Sequence, residues 1–377
     1  MKIIKLWSLL ILMFPGVCVL ASDARHVSAE PDTTASIIAI ANLDQQIAQL
    51  RDEPDVEDLL ILREEFLADY GALDRASALA ESRFVSTQDL LKRAQARATV
   101  HRFADALSDL EGAKQHGVSS VQLVPLSASI LIATGHATEV IAQLKKDLIR
   151  NPSFASRSML ATAYAAMGRV DEADRLYAAA LADLNTTLPF PYAWIYSGRG
   201  LMWAEQGQNP ARAEAMYTQA LAYVPEFAAA NISLAKLEMA RGDNTAARKR
   251  ISQVARSTNQ PEALALLGAL DVRNGDLVEG NEEISRARQR FESLLVRYPL
   301  GFADHAAEFY LGPGHDPERA WLLAERNLAN RETDRSVALA VKAAEATGRY
   351  QEACNLLRKH GPLVQIYLKS LERVLVQ

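Results

Sequence analysis

The residues best placed to do chemistry in this 377-residue chain are Asp304-His305-Ala306-Ala307-Glu308 and, just after them, Gly312-Pro313-Gly314-His315-Asp316. His305 and Glu308 are three apart, so a helix presents both on one side. From the turn, His315 returns over them, and two imidazoles with one carboxylate make the donor set of a zinc-like site. A metal-dependent hydrolase using His305, Glu308 and His315 is therefore one reading. The same residues also spell plain structure: Gly312-Pro313-Gly314 is a turn, Asp316 an N-cap and Pro317 a first helical position. No GxxxxGK[ST], GxSxG, GxGxxG after a strand, or HExxH occurs anywhere in the chain. The sequence accordingly assigns no catalytic residue, no metal and no cofactor, and the leading reading is not an enzyme.

Three other features invite chemistry. Arg241-Gly242-Asp243 spells an adhesion tripeptide, but Gly242 falls where a helix pair needs its turn. Cys354 lies in an apolar helical run and reads as a small core residue. Phe190, Tyr192, Trp194, Tyr196 and Trp203 form the densest aromatic group outside the N-terminal segment, and aromatics are favoured interface anchors. For Tyr192 and Trp194, interface and packing both stay open.

The elements that must position these residues are clearest between Arg157 and Ala180. Leu160, Ala161 and Tyr164 share one helix face before Gly168, and Ala173, Tyr177 and Ala180 share another after it. Neither helix buries its face alone, so the pair must repeat. A turn residue followed five positions later by a small one recurs as Gly71 and Ala76, His101 and Ala106, Gly135 and Val140, Gly168 and Ala173. It continues as Gly242 and Ala247, Gly275 and Gly280, Gly348 and Ala353. Gly207 and Ala213, and Gly314 and Ala320, are one residue longer. Successive small residues lie 30, 34, 33, 40, 34, 33, 40 and 33 apart. The two intervals of 40 mark insertions. The first is a loop between Asp183 and Tyr192, because its prolines break the helical pattern. The second extends one helix after Gly280, where Ile284, Ala287, Phe291, Leu294 and Leu295 keep helical spacing.

That period and those residues resemble the tetratricopeptide repeat. Leu160-Ala161…Tyr164…Gly168…Ala173…Tyr177…Ala180 is similar to its pattern almost throughout, and Gly200…Trp203…Ala213…Tyr217…Ala220…Pro225 again, down to the closing proline. The resemblance implies an all-α chain, an α-solenoid of antiparallel helix pairs wound as a right-handed superhelix, with Trp203 at a core position. It also implies a concave groove, lined by the first helix of each pair, that accepts a protein or peptide partner. By register, the groove positions are Trp194, Ser197 and Leu201 in one pair and Ala229, Ile232 and Lys236 in the next. Tyr192 joins them as a candidate partner-binding residue from the aromatic group.

The chain divides accordingly. Met1 to Ala21 reads as a signal peptide: Lys2 and Lys5 precede the apolar run Leu6 to Leu20, and Val19-Leu20-Ala21 offers a cleavage site, with Ala24 an alternative. Residues 22–33 read as a disordered tail and 34–56 as an amphipathic helix carrying Ile37, Ile40, Leu43, Ile47 and Leu50. Residues 57–361 hold about nine repeat pairs, and 362–377 a capping helix, since a solenoid must cover its last exposed core. Losing Lys2 and Lys5 takes the net charge from −5 to −7. Such an acidic chain is ill suited to nucleic acid, whose affinity rests on Lys and Arg neutralising phosphates. The sequence thus points to an exported, periplasmic scaffold of the bacterial tetratricopeptide type, with no membrane span after cleavage. A component of envelope polysaccharide or lipoprotein export is a further alternative.

Overall fold

The structure is a computed structural model and describes residues 33–375 except 52, 54, 84, 85 and 259. The expected signal peptide and nearly all of the expected tail lie outside the described residues. Twenty α-helices and no strand occur among the described residues. None of these helices is long and apolar enough to cross a membrane.

Helix α1 (Ser36–Leu50) precedes the pairs. They run α2 (Val56–Leu67) with α3 (Tyr70–Ser82), α4 (Thr87–Thr99) with α5 (Phe103–Gln115), and α6 (Ser120–Ala133) with α7 (Ala137–Arg150). Next come α8 (Phe154–Ala166) with α9 (Val170–Asp183), α10 (Phe190–Glu205) with α11 (Pro210–Tyr223), and α12 (Ala228–Ala240) with α13 (Asn244–Ser257). The series closes with α14 (Pro261–Asn274) and α15 (Leu277–Arg297), α16 (Ala303–Leu311) and α17 (Pro317–Asn330), α18 (Asp334–Ala346) and α19 (Tyr350–Lys359), then α20 (Leu363–Leu375). This is the all-α solenoid of antiparallel pairs that the repeat period predicts.

Close approach explains the small residues. Ala76, Ala106, Ala173, Ala213, Ala247 and Ala320 are all completely buried, each where a second helix crosses its partner. A larger side chain there would force the helices apart. Beside the Ala173 crossing, the Tyr177 hydroxyl meets Thr162 Oγ1 at 3.0 Å.

The turns correct the sequence register at three places. Gly135, Gly168, Gly242, Gly275 and Gly348 take the left-handed conformation that closes a first helix. In the two longer repeats that conformation falls on Gln208 and His315, both at φ +48°. Counted from those residues, Ala213 and Ala320 again lie five positions on, as in the other repeats after the first pair. Gly207 is glycine for a different reason: a Cβ there would sit 2.3 Å from the Trp203 ring. In the first pair the left-handed residue is Ala68, while Gly71 lies inside α3.

Both insertions have local causes. Residues 184–189 form a loop, but α10 starts at Phe190, because proline in a first helical turn needs no N–H donor there. The prolines thus begin the helix rather than break it. The second insertion lengthens α15 to 21 residues.

The solenoid then winds until its ends meet. Tyr70 packs edge-on against Phe302 with ring centres 5.3 Å apart, and the Tyr298 hydroxyl donates to Asp74 at 2.6 Å. Arg297 pairs with Asp74, and Asn330 donates to the His101 carbonyl at 3.0 Å. These contacts join pairs about six apart along the chain. Helix α20 covers α18 with Val364, Tyr367, Leu368 and Leu371. It also reaches α10, where Gln206 Nε2 donates to the Tyr367 hydroxyl at 2.7 Å and Gln208 Nε2 to the Ile366 carbonyl at 3.2 Å. Cys354 is exposed, not a core residue, since Ala353 takes the buried position beside it.

Candidate functional site

Winding the first helices inward leaves a cavity of about 1400 Å³. Its wall draws on α2, α10, α12, α16 and α20 and on the starts of α14 and α18. Four of the candidate residues line it: Leu201, Ala229, Ile232 and Lys236. Leu201 is 49% exposed and Ala229 is exposed, so both are open to contact.

Tyr192, Trp194 and Ser197 do not line this cavity. Tyr192 is 2% exposed, its ring stacked on Tyr223 at 4.9 Å. Its hydroxyl donates to the carbonyls of Thr186 (3.3 Å) and Leu184 (3.4 Å), tying down the inserted loop. A ring so placed cannot anchor a partner. Trp194 shares a helix face with Leu201 but lies seven residues earlier, roughly 10 Å along the axis, and packs against the core. The rest of the aromatic group packs too: Phe190 against Phe66 at 4.9 Å, and Trp203 with its N–H on Asp174 at 3.1 Å.

The chemistry of the cavity is ionic. Glu262, Asp304 and Arg335 are each the second residue of a first helix, on α14, α16 and α18, and so occupy equivalent repeat positions. His305 follows Asp304. Arg335 bridges Glu205 (3.1 Å), Glu308 (2.6 Å) and Asp304 (3.4 Å). Arg331, at the end of α17, also pairs with Asp304. Lys236 pairs with Glu262 and lies 4.0 Å from Glu308, and His305 Nδ1 is 3.6 Å from Glu262. A cation in the first turn of a helix opposes its dipole, so Arg335 is held there by the three acids around it.

Proton affinities follow from these neighbours. Asp304 beside His305 pushes the imidazole up to about 9, against the opposing effect of burial. Burial alone would raise Glu262 and Asp304. Lys236 and His305 hold Glu262 well below the carboxylate range, and His305, Arg331 and Arg335 do the same for Asp304. Glu64 and Glu65 on α2 are different. Burial pushes Glu64 up to about 8, helped by Glu65 and Asp69 and opposed by His305, while burial pushes Glu65 up to about 7. His101, also in the wall, is pushed down to about 4 by burial and then by Arg331.

His305, Glu308 and His315 do not form a metal site. Among the described residues no three His, Cys, Asp or Glu side chains converge on one. Glu308 is engaged by Arg335 and Lys236, and His305 faces Glu262. His315 lines a second, mainly apolar pocket of about 430 Å³ that His305 and Glu308 also border, but the three side chains do not converge on one point. Arg241-Gly242-Asp243 is a turn, with Arg241 on Glu214 at 2.6 Å and Asp243 capping α13 through the Ala246 amide.

Single-residue scanning for ligand spacing missed Glu64, Glu65, Glu205, Glu262, Arg331 and Arg335. Charges recurring at the second position of successive first helices signal Glu262 and Arg335, and no spacing in the sequence signals the other four.

With the geometry in hand, comparison with known proteins is informative in one respect. Sequence profiles described as tetratricopeptide repeat match residues 156–191 and 204–270. No curated protein matches the sequence. Among solved structures, the hetero-tetramer Cut9-Hcn1 of the APC/C is similar at 13% identity and TM-score 0.47, over 90% of this chain and 67% of that one. A tetratricopeptide repeat protein from Parabacteroides merdae is similar at 16% identity and TM-score 0.40, over 68% and 98%. PilW, a type IV pilus biogenesis factor, is similar at 16% identity and TM-score 0.34, over 67% and 100%.

Proposed function

We propose that this tetratricopeptide repeat protein is a non-enzymatic, exported scaffold of the cell envelope that holds a protein partner in its inward-facing cavity. Tetratricopeptide repeats are in general a protein-binding scaffold, and the repeats here occupy the segments matched by the family. The observation that carries the proposal is the cavity itself. Repeat helices α10 and α12 present exposed Leu201 and Ala229 to it, next to a fixed array of charges. Apolar contact supplies affinity there, and the array selects partners by charge. Export and a periplasmic location are supported by the basic start, apolar run and Val19-Leu20-Ala21 site of the first 21 residues.

The test is a photo-crosslinking residue at position 229 of the full chain in intact cells. A discrete adduct in the periplasmic fraction, absent when the probe replaces exposed Ile149 on the far side of α7, is the expected result. Equal labelling from both positions contradicts a groove, and adducts confined to the cytoplasm contradict export.

A further inference from the structure

The charges around the cavity do not cancel. Lys236, His305, Arg331 and Arg335 answer Glu205, Glu262, Asp304 and Glu308. Arg241 answers Glu214 and Lys342 answers Glu372, with Lys369 beside the latter on α20. Glu64, Glu65 and Lys369 are the lining charges left without an ion pair among the described residues, two acids against one base. The two glutamates are partly buried in the wall, and their carboxyls make no ion pair or hydrogen bond among the described residues, His305 being the cation that acts on Glu64. A partly buried carboxylate with no partner is costly unless a cation arrives to meet it.

A second observation comes from the adjoining pocket. Met239, Leu266, Val272, Ile284 and Phe309 line it, and it shares Lys236, Glu262, His305, Glu308 and Phe291 with the cavity. An apolar recess therefore opens off the same ionic array.

We infer that the cavity takes an extended segment of a partner protein carrying a basic side chain and an apolar one. The cation pairs with Glu64 and Glu65, and the apolar group enters the Met239–Leu266–Phe309 pocket. This rests on the cavity being the partner site. An acidic segment would bring like charge beside two carboxyls that burial already holds toward the protonated form, and so would gain no ion pair from them. Binding a Lys or Arg ionises Glu64, which faces Glu65, Asp69, Tyr70 and His305, and so releases a proton near neutral pH.

The experiment is selection of random peptides displayed on phage against the full chain. One enriched peptide is then measured by calorimetry in two buffers of different ionisation enthalpy. Enriched peptides should pair Lys or Arg with Leu, Ile or Phe, and binding should release about one proton. Glu64→Gln with Glu65→Gln should weaken binding about tenfold or more, with the melting temperature unchanged or raised. Acidic or uncharged peptides, basic peptides indifferent to the double substitution, or no enrichment at all would overturn the inference. Ala229→Trp separates the two levels: peptides it blocks keep the cavity as the site even if the charge pairing fails. Peptides it leaves untouched remove the cavity itself.

Discussion

The aromatic group of α10 and the charges at the starts of α14, α16 and α18 are the two chemically dense regions of the molecule, and they are used in opposite ways. Around Tyr192 and Trp203 the rings stack on one another, and the polar atoms of those two side chains are met locally by loop carbonyls or by Asp174. That region is finished. Around Lys236, Glu262 and Arg335 the groups face a cavity, and Glu64 and Glu65 stay uncompensated. Density of interface-type residues thus marks core in one place, while residues of ordinary surface type mark the open site. What separates them is where the superhelix puts each face.

The largest expected effect sharpens that contrast. Replacing Tyr192 and Trp194 together by alanine should destabilise the chain by about 3–5 kcal/mol or more, because a stacked, nearly buried ring and its neighbour are removed. Chemical denaturation reads this directly. Unchanged stability with lost partner capture would reverse the roles assigned to the two regions.

Next in size is Arg335→Gln, which removes the cation bridging Glu205, Asp304 and Glu308 and leaves Arg331 on Asp304 and the more distant Lys236 near Glu308. Removing one partner of a well-buried pair costs about 3–5 kcal/mol. Arg335 is partly open to water, so about 2–3 kcal/mol is expected after screening. A denaturation midpoint equal to that of the unaltered chain would mean that the array is ornamental.

The smallest effect is in the pH dependence. His305 is raised from 6.5 to about 9 and Glu64 from 4.5 to about 8, so both bind more protons folded than unfolded. Folded-state stability therefore falls as pH rises between about 6.5 and 9, the interval spanned by the His305 shift. His101, lowered to about 4, works the other way, but only below 6.5. Glu64→Gln should flatten the alkaline decline in a series of melts. A decline of the same slope in that variant would remove Glu64 from the account.

Much of this was legible in the residues. The Gly168–Ala173 pair and its copies carry the solenoid, because a left-handed turn and a close crossing each demand particular residue types. Leu201, Ala229, Ile232 and Lys236 reach the cavity wall by register along α10 and α12, although Ile232 is only 3% exposed and Lys236 is paired with Glu262. Trp194 does not, since register fixes a face but not a height along the helix axis. Tyr192 failed because Pro189 and Pro191 read as helix breakers when they start α10. Asp304, His305 and Glu308 were singled out, but the alternative metal reading joined His305 and Glu308 to His315, not to the ion-pair partners they have. Their partners Lys236, Glu262 and Arg335 come from the neighbouring repeats, on α12, α14 and α18, and meet them only once those first helices stack side by side.

The central claim is that the partner sits in the cavity and not on the aromatic group, and Ala229→Trp tests it most directly. The exposed Ala229 lines the wall, so an indole there projects into the cavity and narrows it without entering the core. Capture of a peptide selected on the unaltered chain should be lost while the melting temperature stays the same. Capture at full affinity by the Ala229→Trp chain would contradict the account.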